Sequence, residues 1–246
     1  MKRRDALTAA LGLLLTWQIL AMAVNQPILP DPFRVFSVFI REMQNGLPNH
    51  FVFSLWRVFA GMALSVLVAA PAGLAIGGSR TLNRIFSPLI YLLYPIPKVV
   101  FVPVVILFLG IGDIAKIAIM FLILFCQIVV LVRDQAAGLP PQLIQSLHSL
   151  GAGRRALFRF VYLPASLPAI LTALRQSIGT AVAVLYITEL SATKYGLGYY
   201  IYYNGSTLLD YPAMYAGVIA MSLLGLGMYF SVDWLERKWC QWKFVT

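Results

Sequence analysis

Charge is what this chain has least of. Only 11% of its 246 residues are Asp, Glu, Lys or Arg, against about a quarter in soluble domains. Cysteine is limited to Cys126 and Cys240 and histidine to His50 and His148. No CxxC or Cys/His ligand spacing exists, which excludes a disulfide framework and a zinc site. The two histidines stand alone near the ends of apolar segments and are expected at the surface. No GxxxxGK[ST] phosphate loop occurs, and Gly77-Gly78-Ser79-Arg80 does not satisfy it. An intramembrane His/Asp cluster and a Ser/Lys dyad are also missing, which argues against a membrane enzyme.

What fills the space is apolar: 60% of residues are hydrophobic. One core of ordinary size could not hide that much apolar surface, so lipid is the expected solvent. At about 1.5 Å of rise per residue, some 20 apolar residues span a bilayer. Six segments meet the requirement: 6–24, 51–77, 85–111, 114–132, 160–190 and 212–232. The first resembles a signal peptide, with Ala21-Met22-Ala23 as a cleavage site, but its length and the five further spans favour an uncleaved helix. Residues 25–32 hold three prolines and an aspartate, which stop a helix. Residues 33–45 then read as an amphipathic helix at the interface or a partly buried loop helix. The third span is expected to break at Pro95 and Pro97 and again at Pro103.

The net charge of +10 would suggest nucleic acid in a soluble protein. Here the basic residues cluster at the ends of apolar segments, so they report topology and nucleic acid is not an expected partner. With six crossings and the N-terminus in the cytoplasm, twelve basic residues, from Lys2, Arg3 and Arg4 to Arg237, Lys238 and Lys243, fall inside. Four fall outside: Arg34, Arg41, Lys116 and Lys194. Both termini are therefore cytoplasmic, and the tyrosines of 195–215 form a periplasmic aromatic belt or part of an outer gate.

Four ionisable residues, Arg57, Lys98, Arg175 and Glu189, fall in or near spans. Buried membrane charges are costly and usually face a bundle interior or cavity, which makes these four candidates for a translocation path. Glu189 is fourteen residues beyond Arg175, about 21 Å of helical rise, so a partner for it must come from another span or protomer. Arg57 and Arg175 could instead snorkel to an interface. Lys98, beside two prolines, could satisfy carbonyls freed at the break.

Between spans four and five lies a polar, basic segment. Gly151 suits a tight reversal and Pro164 a helix start, with Leu157, Phe158 and Val161 on one face and Arg154, Arg155 and Arg159 elsewhere. A short helix with an apolar side suits a groove on a soluble partner. The spacing of Gly151, nine residues, Val161, one residue, Leu163 and Pro164 resembles the coupling loop of binding-protein-dependent ABC permeases. Their pattern is Glu-Ala-Ala, three residues, Gly, nine residues, Ile-x-Leu-Pro. Gln145-Ser146-Leu147 departs from its first triplet.

Further motifs resemble the nitrate/sulfonate/taurine subfamily: Pro97-Lys98 to Pro103, Phe108 to Lys116, Leu163 to Arg175, and Glu189 with Gly196-Leu197-Gly198. The resemblance covers roughly 54–235. It implies an all-α integral membrane protein of the type I ABC importer fold, with six transmembrane helices, both termini inside and a cytoplasmic coupling helix. It implies one permease domain over 1–246: a first span and interfacial segment (1–48), a core (49–235) with the coupling loop at 134–164, and a tail (236–246).

The implied coupling residues are Gln145, Ser146, Leu147, Gly151, Ala152, Arg154, Arg155, Leu157, Phe158, Val161, Leu163 and Pro164. The implied partners are a cytoplasmic ATPase dimer, a second permease copy, and a periplasmic or lipid-anchored binding protein in a bacterial inner membrane. No cofactor is expected on this chain; ATP and Mg belong to the ATPase. The implied cargo is a small anion, with thiamine-precursor-type solutes as the alternative. The competing mechanism, an ion-gradient-driven transporter, favours inverted repeats with paired broken helices, whereas one clearly broken span and no repeat occur here.

Overall fold

The computed structural model describes residues 3–151, 153–190 and 193–243, and every regular element among them is helical. Five helices carry stretches long and apolar enough to cross a membrane. These are α1 (Arg3–Val24), α3 (Leu47–Gly77), α6 (Asp113–Ala137), α9 (Leu163–Leu190) with the turns leading into it, and α11 (Tyr211–Trp239). The sixth crossing is a broken one. It consists of α4 (Arg80–Leu93), a 3-10 turn at Lys98–Phe101, and α5 (Val102–Leu109), bent by 78° at the break.

The chain forms two compact units. One comprises Met1–Ser54 and Glu189–Leu224, the other Leu55–Thr188 and Gly225–Thr246. In the first, α1 is anchored through Trp17, whose indole N–H donates to the Pro30 carbonyl at 3.1 Å and whose ring meets Tyr215 at 5.7 Å. The short amphipathic helix expected near residue 33 is α2 (Pro32–Glu42). Asp31 caps it by accepting the Arg34 N–H at 3.0 Å, and Pro32 occupies the first turn, where no N–H is needed. Val35 is fully buried while Phe33, Phe36 and Ile40 stay exposed.

In the second unit α3 presents Gly61, Ser65, Ala69, Gly73 and Gly77 at four-residue spacing, which places them on one face. Small residues let backbones approach closely in lipid. A Cβ at Gly61 would meet the Met120 side chain, one at Gly73 the Val132 side chain, and one at Gly77 would strike the Arg133 carbonyl, so α3 and α6 pack closely along a seam. Pro103 does not interrupt the third span a second time. It lies in the first turn of α5, where its missing N–H is harmless. Lys116 and Arg133, placed in loops by the charge pattern, lie inside α6 and are buried at 3% exposure. Without them the asymmetry stands at eleven (12 − 1) against three (4 − 1). Arg133 donates to Ser87 Oγ at 2.7 Å and covers the Tyr91 ring at 5.1 Å, which ties α4 to α6.

Candidate functional site

The segment after α6 folds as a helical hairpin. Helix α7 (Pro141–Ser149) ends near Gly151, whose φ of +75° is a left-handed conformation that favours glycine. Helix α8 (Arg154–Leu157) passes through a π-helical turn (Phe158–Tyr162) straight into α9, with Pro164 in the first turn of α9. Leu139, Leu157 and Val161 form a small buried core, with Ile144, Leu147, Tyr162 and Ala165 packed against it. The expected single apolar face therefore divides. Leu157 and Val161 turn inward and hold the hairpin together, whereas Phe158 is 39% exposed. Leu150 at 84% and Phe160 at 64% are the prominent apolar groups left outside, flanked by exposed Arg155 and Arg159. Gln145, Ser146 and Leu163 are exposed and Pro164 half-buried. Ala152 lies outside the described residues, and Arg154 is described by its backbone alone.

Glu189 is completely buried near the end of α9. Its two carboxylate oxygens lie 2.8 and 2.9 Å from the Ser54 hydroxyl, and one accepts the Gly198 N–H at 2.8 Å. Ser54 Oγ in turn accepts the Leu197 N–H at 2.8 Å. Gly196, at φ +138°, leaves no room for a Cβ, which would run into the Glu189 carboxylate. This arrangement latches the start of α10 (Leu197–Tyr202) onto α3 and α9.

His50, expected at the surface, is part of the same structure. Its Nδ1 accepts the Gly196 N–H at 3.1 Å, and its ring lies within about 6 Å of Tyr195, Tyr199 and Tyr200. Tyr200 donates to Glu42 at 3.2 Å; burial, and then the Glu42 carboxylate, push its phenol well above the ordinary tyrosine range. The dense tyrosines thus build a packed cluster around a histidine.

The remaining intramembrane charges are paired or clamped. Arg57, 3% exposed, meets Asp113 at 2.7 and 2.8 Å, and Asp113 starts α6, where the helix dipole favours an anion. Arg175 pairs with Asp233 at 2.7 Å and Glu236 at 3.1 Å on α11. Lys243 and Arg237 join this network through Glu236 and Asp233. Lys98 Nζ donates to the carbonyls of Leu93, Tyr94 and Ile96 at 3.0, 3.1 and 3.2 Å. It thereby satisfies the groups that the prolines free at the break.

Most of these elements lie within residues 51–240, which match the family described as binding-protein-dependent transport system inner membrane components. The chain belongs to this family. It is a permease subunit of an ABC importer. A putative ABC transporter permease of Methanocaldococcus jannaschii is 34% identical, covering 92% of this chain and 87% of that relative. The taurine transport system permease of Escherichia coli is 28% identical, covering 96% and 88%. Among solved structures, the inward-facing MetNI methionine ABC transporter aligns with a TM-score of 0.67 at 20% identity, covering 78% of this chain and 95% of that one, which shows the shared fold.

Several residues of the permease carry too weak a signal in the sequence to stand out. Ser54 is a lone hydroxyl one turn before Arg57. Asp113, Asp233 and Glu236 look like ordinary helix-end charges until their partners appear. Gln127 had a usable signal, an uncharged polar side chain midway through an apolar span.

Proposed function

We propose that the permease works as one of two copies in a bacterial inner membrane, bound to a cytoplasmic ATPase dimer that holds the ATP and Mg. A periplasmic or lipid-anchored binding protein hands it a small anionic solute. The observation that carries this reading is the division of the hairpin face. An inner core of Leu139, Leu157 and Val161 fixes the shape, which frees Leu150 and Phe158, beside Arg155 and Arg159, to enter a groove on a partner. A rigid hairpin continuous with α9 would carry displacement into the membrane.

We assign Glu189 to holding the periplasmic latch, Arg57 and Arg175 to joining spans, and Lys98 to pinning the break. All four act on the path by positioning the helices around it. The taurine permease among the relatives supports a sulfonate-bearing cargo. Reconstitution in proteoliposomes with the ATPase and the binding protein tests the reading. Uptake of a sulfonate should require ATP and all three components. Uptake that persists without the ATPase would overturn the mechanism, and preferential uptake of a pyrimidine would replace the cargo.

A further inference from the structure

Gln127 sits fourteen residues into α6 (127 − 113), about 21 Å along the helix from its start. Its carboxamide makes no hydrogen bond to any described residue, and it is only half-buried. Facing hydrocarbon, such a group would be strongly unfavourable, because nothing there replaces its water. It lines an open cavity of about 260 Å³ at the break of the bent span, together with Tyr94, Lys98, Ile123 and Cys126. A space of that size has room for several waters. Irregular backbone at membrane depth is tolerated where it lines such a cavity.

The chemistry of the lining is one-sided. Lys98 directs its three donors at carbonyls, so it contributes positive charge without a free N–H. The Gln127 amide offers two donors and the Tyr94 hydroxyl a third, and no acidic side chain lines the cavity. A compact group with several acceptor oxygens and a negative charge fits: a sulfonate or carboxylate. We propose that this cavity is a mid-membrane station of the translocation path, with the Gln127 amide holding the anionic oxygens of the solute and Cys126 exposed to the same water. The proposal rests on the importer reading above and adds a binding residue to it.

The chain supplies its own reporter, since its other cysteine, Cys240, is fully buried. The complete transporter, in proteoliposomes at pH 8, would be treated with the anionic reagent sulfonatoethyl methanethiosulfonate. The thiolate displaces methanesulfinate and forms a mixed disulfide, read as a mass increase on the peptide containing Cys126. Modification is expected, at least about threefold slower in excess ethanesulfonate, and absent in Cys126→Ser. Gln127→Leu should lower sulfonate uptake at least tenfold with melting temperature and ATPase co-purification unchanged, and Gln127→Asn should recover part of it. Two results would overturn the site: Cys126 reacting with N-ethylmaleimide but not with the charged reagent, or Gln127→Leu transporting normally. Wild-type transporter without ATP-dependent uptake would instead condemn the importer reading itself.

Discussion

Two reversals flank α9, and they are held by opposite means. The loop after it is fastened by a buried carboxylate, a hydroxyl and backbone N–H groups around Gly196. The hairpin before it is fastened by three aliphatic side chains around a left-handed glycine, with its apolar tip left open. A buried charge tolerates no partial loss of its partners, because an unpaired carboxylate in an apolar medium is heavily penalised. An apolar core degrades in steps, roughly with the volume removed. The first arrangement suits a joint that must stay shut, the second a contact that must survive repeated pulling.

Substitutions can break that contrast, beginning with the most damaging. Gly196→Val combines a left-handed backbone with a collision against Glu189. It should destabilise by roughly 3 kcal/mol or more, read as loss of the folded peak in detergent size-exclusion and a collapsed melting temperature. Leu157→Ala removes the middle of the hairpin core and should cost about 2–4 kcal/mol locally. Hydrogen exchange should then rise across 139–162 while the Glu189 loop remains protected; a uniform rise would erase the distinction between the two joints. Glu189→Gln keeps the shape but loses the charge-assisted bonds, about 1–3 kcal/mol, seen as a lower melting temperature with transport reduced in proportion to the folded fraction. Leu150→Ser at the open tip should change stability by less than about 0.5 kcal/mol yet weaken ATPase co-purification several-fold. Unaltered co-purification would remove the tip from the proposed contact.

The two regions also differed in how far the sequence disclosed them. The hairpin was legible because its determinants are local: Gly151, Pro164 and the residues between lie within one short segment. Which aliphatics point inward was not, since Leu157 and Val161 become core only when Leu139, from beyond α7, closes over them. The latch was barely legible. It joins Ser54 to Glu189 across 135 positions, and a serine in a span carries no mark of the carboxylate it will meet. The six crossings follow from apolar length alone, and the break at Pro95 and Pro97 from the missing donors, whereas Pro103 makes no second break because a proline in a first turn starts a helix as readily as it stops one.

The π-helical turn at Phe158–Tyr162 gives the spacing from Gly151 to Pro164 a meaning of its own. Each residue added to or removed from a helix rotates the downstream part by about 100°. The run from Arg154 to Leu190 is continuous, so the number of residues in it fixes the compass bearing of the hairpin around the α9 axis. Side chains along the segment can vary while this count stays constant. The motif is in that sense a measure of angle written in residues, and one deletion there would aim an intact hairpin in the wrong direction.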